Sequence, residues 1–197
     1  MTRALPSGAR LWLSLSALLA GGSVLAYGLP AAALDWQPAL AWREPWRAWT
    51  AVFVHWSPLH LGANLGAAAV VALLGPAARL PRRIALAWFV AWPLTHLGLL
   101  LRPELAHYGG QSGVLHAGVA AAMVWLVLAG HGRRRAIGAA VLAGQVVKLL
   151  LEEPWGPVLQ FGDGWDIAVA PLAHLTGSVA GALGAALAWA VAPQAER

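Results

Sequence analysis

The segment Gly110-Gln111-Ser112-Gly113-Val114-Leu115-His116 sets a serine between glycines at the head of an apolar run. A serine hydroxyl is a poor nucleophile until a base stands within hydrogen-bond reach and donors face the oxyanion that its attack creates. The chain offers His174 as base and His60 and Asn64 as donors, all inside other apolar runs. His60 and Asn64 lie four residues apart and so share one face of a helix. A neutral imidazole N–H and an amide NH2, joined by the Ser112 backbone N–H, would complete an oxyanion hole. Taken singly, each motif has a plainer use: small residues pack membrane helices together, and polar side chains hydrogen-bond between them.

If a helix begins near Ser112, the serine sits in its first turn, where free N–H groups and the positive end of the dipole favour an oxyanion. Gly110 and Gly113 let the backbone approach a substrate carbonyl closely. His116, one turn on and on the same face, is placed either to pack against His174 and orient it or to bond a backbone group. Gly177, Gly181 and Gly184 follow His174 at helical spacing, and Gly113 with Ala117 gives the serine helix a small face, so the two helices can come close enough for a short Ser-His bond. No carboxylate lies inside an apolar run. A third, acidic member would have to descend from a loop as Asp163 or Asp166, so a Ser112–His174 dyad is the simpler expectation. His55 lies about 140° round the helix from His60 and is read as structural; His96, His107 and His131 are read as bystanders.

The elements that must position these groups are hydrophobic. With 59% hydrophobic and 11% charged residues over 197 positions, the chain is no ordinary soluble domain. An all-α membrane protein is predicted, one polytopic domain over 1–197 with spans near 11–33, 50–74, 84–101, 112–129, 136–151 and 171–192. The fifth span is short and carries Lys148, which can snorkel to the interface. The first run is too long for a signal-peptide core and is expected to be a retained helix. Arg3, Arg10, Arg79, Arg82, Arg83, Arg133, Arg134, Arg135 and Arg197 fall on one side if the spans alternate, against Arg43, Arg47 and Arg102 on the other. The positive-inside rule then makes both termini cytoplasmic.

The basic residues are thus topology signals and lipid contacts, and no nucleic-acid partner is implied. The absence of cysteine excludes disulfides and thiolate sites. No metal or cofactor motif is present. Trp36, Trp42, Trp46, Trp49, Trp56, Trp155 and Trp165 gather on the outer side as an expected interfacial belt. Residues 152–170 form a long outer loop leading into the His174 helix, a passive connector or a gate over the site.

Trp46-Arg47, His55, His60-Leu-Gly-Ala-Asn64, Gly110-Gln-Ser112-Gly113 and Ala173-His174-Leu-Thr-Gly177 with Gly181, in this order over about 46–190, resemble the rhomboid intramembrane serine proteases. The resemblance implies a six-transmembrane-helix bundle, Ser112 as nucleophile, His174 as general base, and His60 and Asn64 in the oxyanion hole. Compact size and the Ser112-Gly-Val-Leu-His116 run are similar to the rhombosortase branch of bacterial rhomboids. That likeness implies an inner-membrane enzyme whose partners are membrane-anchored substrates ending in a Gly-Gly motif, a hydrophobic helix and basic residues. His116 departs from the commonest rhomboid pattern, in which an aromatic residue, often tyrosine, packs on the catalytic histidine. A general rhomboid protease with other substrates and an inactive rhomboid-like binding protein are the alternatives. Retention of both Ser112 and His174 argues against the second. These residues leave the oligomeric state and the scissile bond open.

Overall fold

The computed structural model describes residues 5–192, which form helices and connecting loops. In order these are α1 (Ser7–Ala26), α2 (Ala31–Leu34), α3 (Arg47–Thr50), α4 (Pro58–Ala77), α5 (Arg82–Leu97), α6 (Ser112–Ala129), α7 (Gly132–Leu151) and α8 (Pro171–Ala190). Arg3 and Arg197, with the two ends of the expected 1–197 domain, lie outside the described residues.

Among the described residues, five helical stretches are long and apolar enough to cross a membrane: α1, α4, Arg82–Leu101, α6 and α8. The chain is thus an all-α, multi-pass membrane protein. The expectation of six apolar spans is met by five, because α7 has the length but not the composition. Arg133, Arg134 and Arg135 sit in its first turn and Lys148 in its last. The run expected at 112–129 coincides with α6. The run 11–33 does not hold as one helix: α1 ends at Ala26, where Gly28 at φ +90° and Pro30 turn the chain before the short α2. The run at 50–74 begins late, since α4 starts at Pro58, capped by the Ser57 hydroxyl accepting the His60 N–H at 3.0 Å.

α6 is the most buried of the five apolar stretches. Its small face meets α8 closely: a Cβ on Gly177 would run into the Gly113 carbonyl, and one on Gly181 into the Ala117 carbonyl. Gly184 instead lies against Ala87 of α5. Elsewhere the bundle is pinned by indoles. Trp12 Nε1 donates to Val71 O at 2.7 Å, Trp88 Nε1 to Val114 O at 2.8 Å, and the two rings sit 4.2 Å apart.

The first loop has a core of its own. Arg47 is buried and donates to the Asp35 carboxylate at 3.1 Å, to the carbonyls of Ala32 and Asp35, and to Glu44 at 2.5 Å. His107 holds the other Asp35 oxygen at 2.6 Å. Trp36, expected in the aromatic belt, is fully buried in this core and pairs backbone to backbone with Tyr108. Trp42, Trp46, Trp56, Trp155 and Trp165 are exposed, as an interfacial belt requires.

Candidate active site

Ser112 opens α6 and His174 lies in the first turn of α8, so the close packing of the two helix starts brings the residues together. The Ser112 hydroxyl lies 3.0 Å from His174 Nε2. On the other side of the ring, His174 Nδ1 lies 2.8 Å from the Glu152 carboxylate. An ionised carboxylate only accepts, so Nδ1 carries the proton and Nε2 presents a lone pair to the serine O–H. In that tautomer the histidine is ready to receive a proton from Ser112.

His116 does both things open to it. Its ring stacks on His174 with centroids 4.3 Å apart and planes 17° from parallel, and its Nδ1 donates to Ser112 O at 2.8 Å. The Gln145 amide of α7 then ties the three helices, donating to His116 O at 2.9 Å and to the Ser178 hydroxyl at 2.7 Å. Ser178 in turn donates to His174 O at 2.7 Å.

Gly110, two residues before Ser112, takes φ +113°, a conformation that glycine adopts readily. A Cβ there would stand 2.6 Å from His60 Nε2 and 3.9 Å from Asn64 Nδ2, so both α4 side chains border the backbone that leads to Ser112. His60 and Asn64 are buried. The Trp56 N–H points to His60 Nδ1 at 3.4 Å, which leaves Nε2 as the protonated, donating nitrogen. Asn64 Nδ2 uses one hydrogen on His60 O at 3.0 Å and keeps a second. These are two neutral donors at a glycine-lined strip beside a serine.

Residues matching the Rhomboid domain family cover 42–191. The chain belongs to the rhomboid family. No curated protein matches it closely enough to add a relative. Rhomboid membership brings, at family level, intramembrane serine-protease activity.

In this rhomboid the remaining histidines lie apart from the Ser112–His174 contact. His96 is buried with Nδ1 on Ala48 O at 2.7 Å, and His55 bonds Phe53 O and packs 4.6 Å from the His60 ring. Asp163 and Asp166 do not supply an acid to His174. Asp166 accepts from the Ser57 hydroxyl at 2.8 Å, and the acid at His174 is Glu152, placed among the outer-loop residues by the sequence reading. Burial pushes the Glu152 carboxyl up, but hydrogen bonds and charge from His174 and Lys148 outweigh it and hold the group at about 2. The one sequence signal was the spacing of Lys148 and Glu152, four apart and paired in the structure. Tyr108 was also missed. Its buried hydroxyl is pushed up to about 12, against the influence of the Ser112 side chain and the Gly113 backbone.

Proposed function

We propose that this rhomboid is an intramembrane serine endopeptidase in which Ser112 attacks, His174 is the general base, and His60 and Asn64 hold the oxyanion. The observation that carries the reading is the 3.0 Å contact from Ser112 Oγ to a His174 whose proton is kept on the opposite nitrogen. The serine proton passes to His174 Nε2 as Oγ bonds the scissile carbonyl carbon. The carbonyl oxygen becomes an oxyanion facing the Ser112 N–H, His60 Nε2–H and Asn64 Nδ2–H. Collapse breaks the C–N bond, and His174 gives its proton to the leaving amine. Water then attacks the acyl-enzyme, losing a proton to His174, and as the ester C–O bond breaks His174 returns that proton to Ser112 Oγ, freeing the carboxylic product. The paired Ser112 and His174 speak against an inactive binding protein.

Geometry also supports six crossings in a single polytopic domain. α6 and α8 start together at Ser112 and His174 and stay together at Ala117 and Gly181, so they run parallel. The only long helix between them is α7, whose 20 residues span about 30 Å and must return the chain. Arg10, Arg79, Arg82, Arg83, Arg133, Arg134 and Arg135 then lie at the end of the bundle away from Ser112. The positive-inside rule makes that end cytoplasmic, with both termini there and the site facing the outer leaflet of a bacterial inner membrane.

Substrates are membrane-anchored proteins whose helix unwinds near that leaflet. The Ser112-Gly-Val-Leu-His116 run favours the rhombosortase branch and hence a C-terminal Gly-Gly tail, with His116 stacked where that likeness calls for a departure from tyrosine. Co-expression with exported proteins bearing such tails, and with other single-span proteins, tests both levels. Mass spectrometry should show a product truncated at its C-terminus with wild type and intact protein with Ser112→Ala. Cleavage of single-span proteins while tails stay intact would remove the branch assignment and leave the protease. Undiminished cleavage by purified Ser112→Ala would remove the serine mechanism.

A further inference from the structure

The residue that the dyad leaves unexplained is Glu152. We infer that Glu152 is the positioning carboxylate of a Ser112–His174–Glu152 triad, and that its place at the end of α7 makes the competence of His174 depend on where α7 sits. This rests on the serine-protease reading above and deepens it.

Three observations carry it. First, the carboxylate is divided between two partners: Oε2 receives the His174 Nδ1–H at 2.8 Å, while Oε1 receives the Lys148 ammonium. Lys148 is one turn back on α7, so the acid is held from behind and aimed at the imidazole. Second, the segment after Glu152 is fixed in place. Glu153 takes φ +47°, and Gln160 Nε2 donates to the carbonyls of Glu152 at 3.1 Å and Glu153 at 3.3 Å. Third, the inner half of α7 is seated on α6, with Gly138 close against Met123 and Leu126, whereas its outer half buries only Gln145 and Leu149, so the polar ties of Gln145 and Glu152 set how that half meets α6 and α8.

The chemistry follows from the site of the proton. Glu152 keeps Nδ1 protonated in the resting state and stabilises the imidazolium formed when Ser112 gives up its proton; the carboxylate itself stays ionised. A shift of α7 would withdraw this partner without touching Ser112 or the oxyanion donors. The other groups facing His174 are the neutral His116 and Ser112 from α6 and Lys148 from α7. α5 brings no charge to it, since His96 is turned to Ala48 and Thr95 bonds Ala91 O. Glu152 is thus the negative charge in contact with the ring.

The test compares wild type, Glu152→Gln, Glu152→Asp and Ser112→Ala in proteoliposomes, with the pH dependence of kcat/KM for a transmembrane substrate and the rate of fluorophosphonate labelling of Ser112. Glu152→Gln should lower kcat and labelling by up to about 10⁴-fold, the loss seen when a triad acid becomes an amide, with KM little changed. Loss of the negative charge disfavours imidazolium, so the acid limb of the profile should move to lower pH. Glu152→Asp, which keeps the charge, should recover part of the rate and a wild-type-like limb. A Glu152→Gln enzyme with wild-type kcat, or one that loses activity with its acid limb unmoved, makes Glu152 a helix brace and overturns the inference. Cleavage that persists in Ser112→Ala overturns the serine reading itself, so the two failures are distinguishable.

Discussion

Replacing Gly110 by alanine tests the proposed oxyanion site through the backbone rather than through a donor. Gly110 holds φ +113°, and a non-glycine residue in such a region costs about 1–3 kcal/mol. The new methyl would also stand 2.6 Å from His60 Nε2 and 2.9 Å from His60 Cε1, where ordinary contact begins near 3.4 Å. One of the two groups must therefore move by about 0.8 Å. Displacement of a catalytic donor by about 1 Å costs about 10²-fold, and complete loss of one oxyanion donor about 10²- to 10³-fold in kcat. Gly110→Ala should thus lose about 10²- to 10³-fold in turnover of a fluorescent transmembrane substrate, with KM changed far less. Its thermal midpoint should fall by about 2–4 °C for each kcal/mol of strain. Gly62→Ala is the control, because a Cβ there meets nothing within 4 Å, and it should be silent. Full turnover by Gly110→Ala, with its stability reduced as expected, would show that the Gly110–His60 contact has no part in catalysis.

Asn64→Ala should lower kcat by about 10²- to 10³-fold while leaving substrate affinity nearly unchanged, and equal losses in Asn64→Ala and His60→Ala with unaltered kcat/KM pH profiles are expected if both act as donors. Arg47→Leu removes the buried cation from Asp35, leaving its carboxylate to His107 and Gln37, and should cost up to about 3–5 kcal/mol, read as a fall in thermal midpoint; Arg47→Leu with Asp35→Leu should recover much of it. Glu152 has a depressed folded-state pKa, about 2 against an ordinary 4.5, so its contribution to stability is complete above about pH 4.5 and is lost as pH falls towards 2. Thermal midpoints of wild type and Glu152→Gln should therefore converge over that window, and a gap that persists at its acid end would contradict the assignment. Gly181→Leu drives a side chain into the Ala117 carbonyl and should abolish monodisperse protein in detergent, whereas Gly21→Leu, open on α1, should not.

The candidate residues Ser112, His174, His60 and Asn64 stand out in the sequence because polar groups inside apolar runs are costly and rare, and because i,i+4 spacing and glycine neighbours say which face they share. The limits of α6 were legible for a related reason. Gly109 and Gly110 precede it and Gly130 and Gly132 follow, so apolar content and helix punctuation change at the same places. Apolar content alone misled where it ran through a break. Gly28 and Pro30 end α1 within a run that hydropathy reads as continuous, and Trp36 looks like its interfacial neighbours although it fills the core of the first loop.

By itself, then, the sequence determined the solvent in which this rhomboid folds and which polar groups lie among its apolar residues, because these depend on residue type and local period. Only the tertiary structure decided which acid meets His174, that His116 stacks on it, and that Gln145 binds α6 to α8. Glu152 and His174 are 22 residues apart, on either side of a loop. Their contact depends on the rotation and depth of α7 against two other helices, and helix rotation is set by the fit of side chains across the bundle, which no local pattern records.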